Sequence, residues 1–201
     1  MSNTLDHIYD LLKELRPCNI THSDRIRIGT PDNDGGYVLL NKRLEGIDVL
    51  YSYGVGASSD FENNFCEKYN SIARLYDHTV NKAPIERDFL HFTKEGVGPE
   101  KTENCNTIEG HITQNEDRDK KLILKMDVEG AEWDVLLQTP STILELFEQI
   151  AIEIHFLHSG PQNQYDGKNL SKEIVEIRTK ILKKLNSLFY LYHVHACNYS
   201  P

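Results

Sequence analysis

The chain has 201 residues, 39% of them hydrophobic and 26% charged, enough for one domain with a sizeable core and short of two. A net charge of -9 and a pI near 5.5 disfavour nucleic acid and anionic membrane as partners. There is no basic leader with an apolar run behind it, and no stretch near the roughly 20 apolar residues that span a bilayer, so the expected compartment is the cytoplasm. Cys18, Cys66, Cys105 and Cys197 are scattered without a C-x-x-C pair, which gives no zinc signature and fits reduced thiols.

Leu5, Ile8, Leu12 and Leu15 recur at helical spacing, so an amphipathic helix is predicted to end before Pro17. Residues 1–24 read as this helix and a linker, and residues 25–201 as the domain. Arg25–Gly29 alternates like a short strand, Asp32-Asn-Asp-Gly-Gly36 is a turn, and Tyr37–Leu40 resumes as a strand. Val49–Tyr53 is strand-like and runs into the tight turn Gly54-Val-Gly56. Ser59 with Glu62 fits a capping box for a helix whose face carries Phe61, Phe65 and Tyr69. Cys66 lies among those apolar neighbours and reads as core. Ile72–Tyr76, Phe89–Phe92, Leu122–Met126 and Ile150–Ile154 read as further strands, with a helix over Thr107–Asn115. Leu170–Leu185 is a strong helix with Ile174, Ile177, Ile181 and Leu185 on one face, and Leu188–Ala196 reads as a sixth strand. Strands alternating with helices predict an α/β fold, a parallel sheet with helices on both faces. The lysine groups 120, 121, 125 and 180, 183, 184 read as solvated faces.

Three features carry chemistry. Gly54 and Gly56 open a helix, where backbone can approach a ligand and free N–H groups point at it. Asp77 ends the next strand roughly 20 residues later, a place that suits the hydroxyls of a ribose. Position 59 is Ser, so no third glycine completes a pyrophosphate-binding fingerprint, and a nucleoside ligand without phosphates, such as S-adenosylmethionine, fits better. The apolar run Leu122–Met126 stops at Asp127-Val-Glu-Gly-Ala-Glu132, and Glu153 and His155 follow the next strand. These exits deliver Asp127, Glu129, Glu153 and His155 as proton acceptors for an alcohol, His155 first because it titrates nearest neutrality. The same groups, Asp127 and His155 with Glu129 or Glu153, are candidates for a divalent ion. Glu129 alternatively favours the first turn of the following helix. His193 and His195 alternate on one face, as packing residues or a metal pair. Trp133 packs on the sheet or flanks a ligand.

Lys125-Met-Asp-Val-Glu-Gly-Ala-Glu132 resembles the signature of the FkbM-type methyltransferases. The resemblance extends to Arg27-Ile-Gly29 with Asp34-Gly-Gly-Tyr-Val38, to Tyr51–Gly56 with Asp60-Phe-Glu62, and to Ile152–His155, covering residues 25 to 198. It implies a class I, Rossmann-like fold that binds S-adenosylmethionine, with Gly54 and Gly56 bordering the cofactor and Asp77 on its ribose. It also implies Val97 and Gly98 near the adenine, and Asp127 beside the methionine moiety or the substrate. Many class I enzymes carry an acid just before the glycine turn, where Ser52 or Tyr53 stands here. The methionine ammonium then falls to Asp60, Asp34 or Asp127. The chain stops after the sixth strand, so the final strand of the usual sheet is expected to be missing. The expected activity is O-methylation of a sugar or small polar metabolite, in surface-polysaccharide or natural-product biosynthesis. The acceptor is a small molecule or glycan, and the polar loop 160–167 is placed to form part of its pocket. The alternatives are a nicotinamide-dependent oxidoreductase and a non-catalytic methyltransferase-like domain.

Overall fold

The computed structural model describes residues 4–21, 24–30, 35–157 and 172–196, with side chains from Asp6 onward. The side chain of Leu5, Asp32 to Asp34, the loop 160–167, the start of the last helix at Leu170 and Cys197 lie outside the described residues. Helix α1 is Thr4–Glu14, and β1 (Arg25–Gly29) pairs antiparallel with β2 (Gly36–Leu40). The alternating part follows as β3 (Val49–Tyr53), α2 (Asp60–Tyr69), β4 (Ile72–Tyr76), β5 (Leu90–Thr93), and the short parallel pair β6 (Gly96–Val97) and β7 (Cys105–Asn106). Then come α3 (Ile108–Gln114), β8 (Leu122–Met126), α4 (Glu132–Gln138), α5 (Ser141–Leu144), β9 (Phe147–Ile152) and α6 (Lys172–Leu188).

Five strands form one parallel sheet in the order β5-β4-β3-β8-β9. The chain winds outward one way from β3 and the other way from β8, so the order reverses between these two strands. That reversal opens a crevice at their carboxyl ends, where open α/β sheets bind ligands. β3 and β8 are buried on both faces, which is why they read as continuous apolar runs. Alternation sorts their side chains. Leu50, Leu75 and Ile123 face α2 and the hairpin with Phe61, Phe65 and Leu39. Val49, Tyr51, Tyr53, Leu122 and Leu124 face the other way, toward Ile108 and Ile112 of α3 and Val135 of α4. A third cluster joins α1, α4 and α6 through Leu11, Trp133, Leu136, Val175 and Leu182.

The structure is thus the expected Rossmann-like α/β fold with an N-terminal helix and a strand pair, and it corrects several details. On α1 the buried residue is Leu11, while Leu12 is 53% exposed, because Ile8, Leu11 and Leu15 form the stripe that meets α6. Ile177 is 48% exposed, and Val175, Arg178 and Leu182 take its place on the inner face of α6. The strand expected over Leu188–Ala196 does not form: α6 runs through Leu188, and residues 190–196 carry no ladder. That segment is tied instead by the Cys18 N–H to the Leu191 carbonyl and by the Tyr192 hydroxyl donating to Gln149. His193 and His195 do share a side, their rings parallel at 6.3 Å. β9 ends at Ile152, so Glu153 and His155 lie beyond the strand. Lys125 is buried and belongs to no solvated face, and Lys184 reaches the carbonyls of Leu136, Leu137 and Thr139 at the C-terminal end of α4. Cys66 is core as expected, and burial pushes its thiol up to about 12. Among the described residues no helix is long and apolar enough to cross a membrane.

Candidate active site

The site begins with a steric fact. Gly54 has φ +80°, and a Cβ placed there would lie 1.6 Å from the Asp127 carbonyl oxygen. Only glycine lets the exits of β3 and β8 touch, which the Asp127 N–H to Tyr53 carbonyl bond then fixes at 3.0 Å. Gly56, at φ +55°, has open space where its side chain would be. Asp77, at the exit of β4, holds this turn. Its Oδ2 accepts from the N–H groups of Val55 and Gly56 at 3.0 and 2.9 Å, and its Oδ1 accepts from the N–H and hydroxyl of Thr79. Burial pushes its carboxyl up, and these hydrogen bonds outweigh that and leave it below the usual range.

A cavity of about 610 Å³ opens over the turn. Of the residues singled out in the sequence, Gly54, Gly56, Asp77, Val97, Asp127 and Glu129 line it. Asp60, Gly98 and His155 are not on its wall. Asp60 faces the hairpin, accepting from the hydroxyls of Ser58 and Thr30. Gly98 is tied to the Asn106 carbonyl, and Gly96 lines the cavity in its stead. The capping box also resolves differently. The Ser59 hydroxyl accepts from the Ile85 N–H, and Glu62 accepts from the Ser52 hydroxyl at 2.5 Å. Among the lining residues that the sequence reading did not assign to the site are Tyr37, Glu62, Tyr76 and Lys125. Tyr37, Glu62 and Lys125 lie inside the segments that carry the family resemblance and Tyr76 precedes Asp77, but the contacts that bring them to one wall form only in the assembled fold.

Asp127 stands at the β8 exit. The Tyr37 hydroxyl donates to its Oδ2 at 3.0 Å, and the Lys125 ammonium lies 3.6 Å from the same oxygen while donating to the Gly54 carbonyl. Burial, then the Asp127 charge, pushes the Tyr37 phenol far above its ordinary value, so it stays a donor. His155 has acids on both nitrogens. Nδ1 is 2.8 Å from Glu132 Oε1, and Nε2 is 3.6 Å from Glu129, 3.8 Å from Glu153 and 3.9 Å from Asp127. The Glu132 hydrogen bond, against burial, pushes the imidazole up to about 9. The hydrogen bond to Glu132 favours the charged imidazole, which weighs against His155 as the first-choice base at neutral pH.

Glu132 is fully buried and also accepts from the Val128 N–H at 3.0 Å, so it takes the helix-start place expected of Glu129. Glu129 itself has φ +54° and an 84% exposed side chain. Trp133 packs between α1, α4 and α6 under Arg178 and donates to the His155 carbonyl, so it serves the core and is not on the cavity wall. Asp127, Glu132 and His155 each offer a donor atom within 4.8 Å of the others, and the second Glu132 oxygen is buried with no hydrogen-bond partner among the described residues.

A doubly wound parallel sheet, a glycine turn at its reversal point and acids at the exits of β4 and β8 on either side of that turn define a Rossmann-like protein with its cavity where that class binds ligands. The chain belongs to the FkbM methyltransferase family: the family model described as the methyltransferase FkbM domain matches residues 28–199. No curated protein and no solved structure matches the chain. The family places it among the methyltransferases, and the nicotinamide reading is dropped.

Proposed function

We propose that this protein is an S-adenosylmethionine-dependent O-methyltransferase whose acceptor is a hydroxyl of a sugar or another small polar metabolite. Surface-polysaccharide or natural-product biosynthesis in the cytoplasm is the setting that suits it. The observation that carries the reading is one cavity bounded both by the Gly54–Gly56 turn and by Asp127. The residues present fit the cofactor. The cradle at Gly54 admits no side chain, Gly56 faces open space, and Asp77 holds the N–H groups between them. Asp77 would meet the ribose, and Tyr76 and Val97 offer apolar walls for a flat base. When bound, S-adenosylmethionine supplies an electrophilic methyl group on a sulfonium.

The chain's own work is then positioning and proton acceptance. Asp127 borders the cavity as a carboxylate whose orientation Tyr37 and Lys125 fix, so it is the group that takes the proton of an acceptor hydroxyl. His155, charged and flanked by Glu132, stands behind it as a fixed positive group.

Titration calorimetry with S-adenosylhomocysteine and a turnover assay on hydroxylated acceptors test this together. Asp127→Asn is expected to bind the cofactor product with near wild-type affinity and to lose about 10²–10⁴-fold in turnover. Wild-type protein that fails to bind at millimolar ligand sinks the reading, and binding without turnover across a broad acceptor panel favours a non-catalytic domain. A second reading has a divalent ion held by Asp127, Glu132 and His155, favoured by their spacing and by the unpartnered Glu132 oxygen. Such an ion would orient an acceptor hydroxyl and lower its pKa. Turnover that survives exhaustive chelation excludes it.

A further inference from the structure

Among the carboxylates on the cavity wall, Glu62 is the one that the described residues compensate least. Asp77 has four hydrogen bonds, all within the turn and Thr79. Asp127 has the Tyr37 hydroxyl and the Lys125 ammonium. Glu129 is 84% exposed and solvated. Glu62 is 2% exposed, and among the described residues its hydrogen-bond partner is one neutral hydroxyl, that of Ser52. A carboxylate taken out of water is costly unless a cation or several donors meet it. One hydroxyl on Oε1 leaves the other oxygen for a ligand.

The local fold explains how the acid arrives there. Ser52 and Tyr53 end β3 without a charge, and Ser52 pairs in register with Lys125 of β8. Lys125 directs its ammonium at the Gly54 carbonyl and at Asp127. The chain then turns at Gly54 and Gly56, and the first turn of α2 carries Glu62 back over the end of β3. A helix therefore supplies the acid that the strand lacks, ten positions after Ser52.

We propose that Glu62 receives the ammonium of the amino-acid end of S-adenosylmethionine, and that Ser52 is the positioning residue that fixes its carboxylate. The inference rests on the cofactor proposed above. An ammonium brings three donors on a compact charge, which suits a buried carboxylate with one oxygen already fixed. Asp60, the nearby acid on the same helix turn, faces the hairpin and is not on the cavity wall.

The test is calorimetry on the whole chain with two ligands: S-adenosylhomocysteine, and its desamino analogue, which keeps the carboxylate and lacks the ammonium. Glu62→Gln keeps an oxygen for the Ser52 hydrogen bond and removes only the charge. It is expected to weaken S-adenosylhomocysteine about 10–100-fold, the size of a charge-assisted hydrogen bond, and to leave the analogue within about twofold. Ser52→Ala, which keeps the charge, is expected to give a smaller loss, about 3–10-fold, again on S-adenosylhomocysteine alone. Unchanged binding by Glu62→Gln, or equal losses on both ligands, overturns the assignment. Wild-type protein that binds neither ligand overturns the cofactor reading and this one with it. Wild-type protein that binds both alike overturns this one only.

Discussion

Gly54 is the residue on which the site's geometry turns. Its positive φ is a conformation that L side chains rarely adopt, and the carbonyl of Asp127 occupies the space a methyl group would need. Gly54→Ala therefore has two faults at once, a strained backbone and an overlap with main chain that no rotamer relieves. The variant is expected to lose at least about 2 kcal/mol of stability, read as a fall of about 4 °C or more in Tm. Ligand affinity at the turn should fall further than stability does, because relief of the overlap must separate the exits of β3 and β8. A thermal-shift series with and without S-adenosylhomocysteine measures both; a variant with wild-type Tm refutes the steric account. Lys125 makes the complementary point. Its ammonium bridges the two exits through the Gly54 carbonyl and Asp127, so its burial is compensated on both sides.

At the scale of elements, the cluster among α1, α4 and α6 shows which apolar residues of a helix matter. Leu182 is 5% exposed within that cluster, whereas Ile177, five positions earlier on the same helix, is 48% exposed. Leu182→Ala is expected to cost about 2–5 kcal/mol in urea unfolding, and Ile177→Lys to stay within about 0.5 kcal/mol of wild type. The reverse ranking would mean that α6 presents a different face. The sequence alone placed Ile177, and not Leu182, on the inner stripe, because a 3.6-residue period tolerates a shift of one position at each turn. Elements with continuous apolar runs, β3 and β8 above all, were legible because burial on both faces leaves no other reading. Leu188–Ala196 misled because alternation describes an extended chain equally well with or without a ladder partner, and only neighbouring strands decide that. The site divides in the same way. The glycine turn, Asp77 and Asp127 stand at strand exits and were visible from local order. Tyr37 reaches Asp127 across 90 positions, and Glu62 bonds Ser52 back over a turn, so their roles appear only once the sheet is assembled.

For the whole molecule, folding sets a direction for stability against pH through groups that lose water. His111 of α3 is fully buried under the sheet, with its ring 3.8 Å from that of Tyr76, Nδ1 at 3.2 Å from the Tyr53 hydroxyl and Nε2 at 3.1 Å from Glu95. Burial holds its imidazole below the ordinary 6.5, and although Glu95 pulls it up, Lys101 adds to the lowering. The unfolded chain therefore takes a proton on this residue at a higher pH than the folded chain does. Stability is full above 6.5 and declines as pH falls from there through the folded value. His91 and His193, more exposed, are lowered too and add in the same sense. Asp77 acts lower on the scale: its carboxyl lies below the ordinary 3.8, so its contribution is present above that value and is lost as pH falls through the folded one. The His111 contribution, read in the urea midpoint, is thus expected to be lost between pH 7 and pH 5, before any carboxylate of the glycine turn titrates. His155, whose imidazole is raised to about 9, acts in the opposite sense: its contribution grows as pH falls from about 9 and is full below 6.5. His111→Gln, which keeps a polar side chain and removes the titration, should flatten most of that slope while leaving the steeper loss below pH 4. If the variant retains the wild-type slope between pH 7 and pH 5, the proton is taken elsewhere, and the buried ring between Tyr53 and Tyr76 is not what ties this fold to neutral pH.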